Sequence, residues 1–224
     1  MTYNELVAAI ESYTQNYESD FVANIPTFVT QTETRIYNTV QIPALRKNVT
    51  GVTTDGNKYL SCPSDFLSVF SMAVIDGTGN YEYLLNKDVN FMRAAYPNPT
   101  TEGLPKYYAL FGPTVTSNVI TDELSFILAP TPDANYDVEL HYYYYPESIT
   151  TAADGRTWLG DNYDPVLLYG SLVEAYTFMK GEQDMMTYYE KKYQDALGQL
   201  NRLGTGLERG DAYRDGQAKI KVMP

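Results

Sequence analysis

A chain of 224 residues that is 44% hydrophobic and 14% aromatic can bury a proper core in one or two domains, which excludes the disordered class. Its net charge of −12 argues against a surface that grips nucleic acid, because that affinity comes largely from Lys and Arg neutralising phosphates. No apolar run approaches the ~20 residues of a membrane span and the N-terminus lacks signal-peptide character, so the expected setting is cytosol-like with no membrane partner.

The expected fold class is α+β, with residues 1–44 and 151–206 forming a helical bundle, 45–150 a small antiparallel β insertion, and 207–224 an extended arm. In the first block Thr2 and Glu5 have capping-box spacing. Leu6, Val7, Ile10, Tyr13 and Tyr17 predict one apolar face of a helix ending near Asn16. Ser19 or Asp20 is the expected cap of a second helix carrying Phe21, Ile25, Phe28, Val29, Ile36 and Val40. Pro26 fits only near its first turn, Glu33 falls on a more polar face beside Arg35, and Pro43 ends the segment.

In the second block Asn48 to Thr54 and Lys58 to Leu60 flank Asp55-Gly56, which predicts a tight hairpin. Phe66 to Ile75 and Tyr81 to Leu85 predict strands around a turn at Asp76-Gly77. Lys87 to Ala95 reads as helical, stopped by Pro97 and Pro99. Lys106 to Phe111, Leu124 to Leu128 and Tyr136 to Tyr144 are further strands. In the last, Tyr136, Val138, Leu140 and Tyr142 face one way and Asp137, Glu139 and His141 the other, as in a sheet with one wet face.

In the third block Asp164-Pro165 starts a helix whose stripe is Val166, Tyr169, Val173 and Tyr176, beside Leu168, Leu172 and Met179. Gly181 breaks it, and Asp184 is the expected cap of the next helix. There Met185, Tyr189, Tyr193, Ala196, Leu200 and Leu203 form a stripe ended by Gly204-Thr205-Gly206. The candidates for core or subunit packing are Phe28, Ile36, Trp158, Tyr169, Leu172, Tyr176, Tyr189 and Tyr193. The tail around Lys219, Ile220, Lys221 and Val222 alternates as a lone strand would, so partner docking by strand addition competes with a frayed terminus.

Several fragments imitate chemistry. Asp133, Asn135 and Asp137 match three positions of a calcium loop, but Val138 stands where Gly is required and Tyr144 where Glu is. Gly51 to Lys58 resembles a phosphate loop, yet Asn57 separates Gly56 from Lys58 and Tyr59 replaces the magnesium-binding hydroxyl. The single histidine, His141, excludes a multi-histidine metal site; the single cysteine, Cys62, excludes an intrachain disulfide, and no signature supports a Cys62/His141 pair. Asp154, Asp161 and Asp164 could supply paired carboxylates for glycoside hydrolysis, although acidic residues before a helix more commonly cap and solvate turns. No catalytic residue, metal or cofactor is expected.

The order of several segments carries a resemblance over about residues 20 to 203. Ile25-Pro26-Thr27-Phe28-Val29 with Glu33 and Arg35-Ile36, then Ile42-Pro43-Ala44-Leu45-Arg46, resembles the N-terminal signature of the head-tail adaptor (connector) proteins of tailed bacteriophages. Tyr59 to Leu67, with its Pro63-Ser64-Asp65-Phe66, is similar to a family strand start, and Gly103 to Tyr108 with Phe111-Gly112 to its central strand. Pro130 to Pro146, Thr157-Trp158-Leu159, Leu168 to Ala175 and Tyr189 to Leu200 follow in order. Cys62, the run Tyr142 to Tyr145 and the C-terminal arm depart from it.

The resemblance implies a non-enzymatic virion protein, assembled in the host cytoplasm as a homo-oligomeric, dodecameric ring under the portal protein. It implies that DNA passes through the channel without sequence-specific binding, that the β insertion faces a tail tube or nozzle protein, and that the arm docks on the portal. The acidic charge suits a wall that must not hold DNA. The alternatives are a tail or baseplate component with a carbohydrate-contacting β domain, and an acidic-pair glycosidase.

Overall fold

The computed structural model describes residues 1–98, 100–116, 119–122 and 124–207. In chain order it forms α1 (Tyr3–Thr14), α2 (Ser19–Thr39), β1 (Arg46–Val52), β2 (Tyr59–Ser61), β3 (Phe66–Ile75), β4 (Tyr81–Tyr83) and β5 (Leu85–Asn86). Then come α3 (Val89–Ala95), β6 (Tyr107–Phe111), β7 (Thr114–Thr116), β8 (Val119–Asp122), β9 (Ser125–Ala129) and β10 (Asp137–Tyr144). The chain continues through α4 (Trp158–Asn162), α5 (Asp164–Phe178) and α6 (Gln183–Leu207). The fold is α+β, and the described residues divide into a helical unit, Met1–Leu45 with 146–207, and a β unit within Arg46–Tyr145.

In the helical unit Thr2 Oγ1 accepts from the Glu5 N–H and the Glu5 carboxylate from the Thr2 N–H, the reciprocal box that starts α1. Only Leu6 and Ile10 of its expected face are buried. Tyr13 and Tyr17 are exposed, because the helix ends at Thr14 and left-handed Gln15 turns the chain away. Helix α2 is preceded by Glu18, so Ser19 and Asp20 lie inside its first turn rather than capping it. Pro26 therefore stands in the helix interior, where its missing N–H leaves out one bond to the preceding turn.

Helix α5 is the centre of this unit and packs against α1, α2, α4 and α6. A helix touched on several sides is apolar nearly all round. It accordingly buries Val166, Leu167, Leu168, Gly170, Ser171, Leu172 and Ala175, whereas Tyr169, Val173 and Tyr176 of the expected stripe are half-buried. A Cβ on Gly170 would stand 2.3 Å from Thr32 Cγ2 and 3.1 Å from the Tyr193 ring, so α2, α5 and α6 meet there at backbone distance.

Helix α6 starts before Asp184, which is a first-turn acid and not a cap. It buries Tyr189, Tyr193, Ala196, Leu197 and Leu200, while Leu203 is exposed. Gly204-Thr205-Gly206 does not stop it. The helix runs on to Leu207, and Gly204 is glycine because a Cβ would stand 2.2 Å from Ile42 Cγ2.

The β unit holds two four-stranded sheets, ordered β1-β10-β3-β4 and β2-β9-β6-β5, with a separate β7-β8 pair. Among these described strands the pairings are antiparallel except β5 with β6. The inward residues of β10, Val138, Leu140 and Tyr142, join Met72 and Val74 of β3, Tyr108 of β6 and Phe126 and Leu128 of β9 in one core between the sheets. Phe66 stands edge-on to Phe126 at 5.5 Å and stacks on Tyr142 at 5.9 Å, favoured geometries for ring quadrupoles. Burial, with the bond to Asp65, pushes the Tyr142 hydroxyl up to about 12.

The Asp55-Gly56 turn forms, with Gly56 at φ 70 and the Asn57 N–H on the Thr54 carbonyl, but it does not close a hairpin. Strand β1 pairs with β10 and β2 with β9, so the turn is a corner between two sheets. Asp76 closes the β3–β4 turn by accepting from the Thr78 hydroxyl at 2.7 Å and the Asn80 N–H at 2.9 Å, which hold its carboxyl at about 2.

Candidate interaction surfaces

Of the residues that imitated chemistry, Asp133, Asp154 and Asp161 hold loops. Asp161 Oδ1 lies 2.9 Å from Arg156 Nη2, and Asp154 accepts the Arg156 N–H at 3.1 Å. Asp164 lies 3.8 Å from the terminal amine, which donates to the Gly160 carbonyl. Asp133 accepts from the Tyr136 hydroxyl and Asn135 from the Asp55 N–H, a turn leading into β10. His141 is on the wet face of that strand, 3.2 Å from Glu139, whereas Cys62 packs against the core between the sheets, so the two form no nucleophile–base pair. Asn48 and His141 hold the Glu139 carboxyl below its usual range. Among the described residues no group of His, Cys, Asp or Glu is placed to hold a metal ion.

Glu33 is the main correction to the sequence reading. It is 3% exposed, not on a polar face. Its Oε1 accepts the Ile149 N–H at 3.0 Å, and the Ser148 hydroxyl supplies a second bond. Burial raises its carboxyl above the usual 4.5, outweighing the lowering by those two bonds. The pair fastens the segment that returns from the β unit onto α2. Nothing local in the sequence signals this, since the partner is 116 positions away.

Arg35, two positions on, ties three helices. Its Nη1 lies 3.1 Å from Glu174 of α5, its Nη2 3.2 Å from Glu190 of α6, and its guanidinium 4.7 Å from the Tyr193 ring centre. The side chain is 37% exposed, so solvent screens the pairs. Arg35→Met is expected to lower stability by about 1 kcal/mol at low salt. Thermal unfolding with added NaCl should shrink the difference; a cost unchanged by salt would show that stem packing, not charge, matters.

Of the eight packing candidates, Phe28, Ile36, Leu172, Tyr189 and Tyr193 are buried in the helical unit, and Trp158, Tyr169 and Tyr176 are half-buried. Lys219, Ile220, Lys221 and Val222 lie outside the described residues.

Among the described residues two aromatic surfaces are open. At the helical end formed by the last turn of α1, the C-terminus of α5 and the start of α6, Tyr13, Tyr17, Phe178 and Tyr188 are exposed. Phe178 lies 5.3 Å from Phe28, Tyr188 lies 5.3 Å from Tyr189, and Asn16 reaches Met179. On the outer face of the β unit Tyr81 and Tyr83 stack at 6.3 Å, and Arg46 lies over exposed Phe70 at 3.8 Å. Exposed apolar patches of this kind mark association surfaces. No described helix is long and apolar enough to cross a membrane.

No curated protein matches the chain. The SU10 adaptor protein family model matches residues 1–218, nearly the whole length. An α+β chain with open aromatic faces and that match belongs to the SU10 adaptor protein family, a family of phage head-tail adaptors.

Proposed function

We propose that this chain is a structural, non-enzymatic virion protein whose copies form a ring, of twelve subunits, under the portal. The ring extends the DNA channel and gives the tail its docking platform. The family match over residues 1–218 is the observation that carries the reading. In this reading the helices of residues 1–44 and 151–206 build the ring, with half-buried Trp158, Tyr169 and Tyr176 at subunit contacts. The β unit meets the tail tube or nozzle protein. The acidic charge lets DNA pass without being held.

The arm around Lys219, Ile220, Lys221 and Val222 docks by adding a strand to the portal or to a neighbouring subunit. Assembly takes place in the host cytoplasm.

Electron microscopy of the purified chain with and without portal rings tests this. Twelve-fold rings seated on portal are expected, and no association with portal would overturn the reading. Deleting residues 208–224 is expected to abolish seating while leaving the fold; normal assembly of that variant would remove the docking role of the arm.

A further inference from the structure

The β unit contains a cleft of about 310 Å³ between α3 with the loop after it and strands β2 and β9. That is at the lower end of the roughly 300–1,000 Å³ found for ligand pockets. Its floor is apolar, with Met92 and Ile127 buried in a small core of their own beneath α3. Tyr59 and Tyr96 form walls. The only charged lining residues described are cations: Lys58, whose ammonium lies 5.4 Å from the Tyr59 ring centre, and Arg93 in the last turn of α3. No Asp or Glu lines it among the described residues, and neither cation has an ion pair among them.

This inverts the character of the chain, in which 28 acidic residues outnumber 16 Lys and Arg. A concavity carrying two cations and no described anion focuses positive potential and selects a negatively charged visitor. The apolar floor requires that visitor also to bring a side chain worth burying, since charge alone at a rim contributes little. A phosphate chain meets the charge requirement but not the floor. A neutral aliphatic segment meets the floor and leaves the cations unused.

We propose that this cleft is a docking site for an acidic segment of a partner protein, which inserts one aromatic or aliphatic side chain between Tyr59 and Tyr96 and sets flanking carboxylates on Lys58 and Arg93. The proposal rests on the cleft and its charges and stands or falls separately from ring formation.

The test uses the full chain and a peptide labelled at its N-terminus, fluoresceinyl-Asp-Asp-Leu-Phe-Asp-amide, with a second N-terminally labelled peptide in which lysines replace the aspartates. Fluorescence anisotropy is expected to show saturable binding of the acidic peptide only. Hydrogen exchange should then slow within residues 58–59, 92–98 and 127–131. The double variant K58E/R93E, altered at a partly exposed and an exposed side chain, is expected to bind the acidic peptide about tenfold more weakly and to gain affinity for the lysine peptide. Absence of binding, equal binding of both peptides, protection elsewhere, or affinity unchanged in K58E/R93E would each overturn the proposal. So would phenylacetate competing as strongly as the peptide, which would mark a small-molecule site.

Discussion

Gly170→Ala is expected to destabilise the helical unit, although alanine is the better helix former. The intrinsic gain on replacing glycine inside a helix is about 1 kcal/mol. Against it stands a new methyl 2.3 Å from Thr32 Cγ2 and 3.1 Å from Tyr193, both buried with little freedom to withdraw. Overpacking of this kind costs about 1–3 kcal/mol, and a clash with a β-branched neighbour belongs in the upper part of that range.

Gly198→Ala is the matched control. That glycine lies on the exposed face of α6 with nothing within 4 Å of its ideal Cβ, so the same substitution should stabilise by about 0.5–1 kcal/mol. Chemical denaturation of the two variants should therefore give opposite signs. Thr32→Ser removes the clashing methyl and keeps the hydroxyl that donates to the Phe28 carbonyl. Much of the Gly170→Ala cost is expected to vanish in that background, and a purely additive double variant would refute the close-approach explanation.

Glu33→Ala is expected to cost stability more at pH 4.5 than at pH 7.5. The substitution leaves the Ile149 N–H without its acceptor in a closed interior, which costs about 1–3 kcal/mol. At neutral pH that loss is partly offset, because the native carboxylate is itself penalised by burial. A folded-state pKa above the 4.5 of an exposed glutamate means that the folded chain holds this proton more tightly than the unfolded one. The stabilising contribution is present in full below pH 4.5 and is lost as pH rises through the raised folded value. Glu33→Gln keeps an acceptor and cannot ionise, so it should flatten that part of the profile. Urea unfolding across pH 4 to 8 checks both variants, and a Glu33→Ala cost identical at both ends would show that the site does not titrate in this range.

Glu33 and Gly204 mark where sequence reasoning stops. Strand β3 was legible to its ends, Phe66 and Ile75, and the alternation along β10 gave both its wet face and its core face, because strand periodicity is local. The Thr2–Glu5 box and Pro165 in the first turn of α5 were legible for the same reason. Glu33 was not, since a carboxylate reads as polar until its distant N–H partner is known. Gly204 looked like a helix stop because glycine does end helices; its actual reason, contact with Ile42, needs two segments far apart in the chain. The corner at Asp55-Gly56 failed similarly. Turn chemistry was right, but which strands pair is decided by register with β10 and β9, about seventy or more residues downstream. Of the interaction surfaces, the tyrosine richness was visible at once, whereas the cleft with Lys58 and Arg93 draws on residues spread over more than seventy positions.

Strands β1 and β10 are neighbours and antiparallel, with Arg46 opposite Tyr143, so the first and last strands of the β unit start and finish side by side. Tension arriving through both connections pulls the two strands in the same direction, and their seven-residue ladder carries no shear between them. Spreading the connections apart would instead unzip the ladder one rung at a time from Arg46. A load along the strands is therefore passed on to the β10–β3 ladder, whereas a load that spreads the two connections meets the β1–β10 ladder one pair at a time.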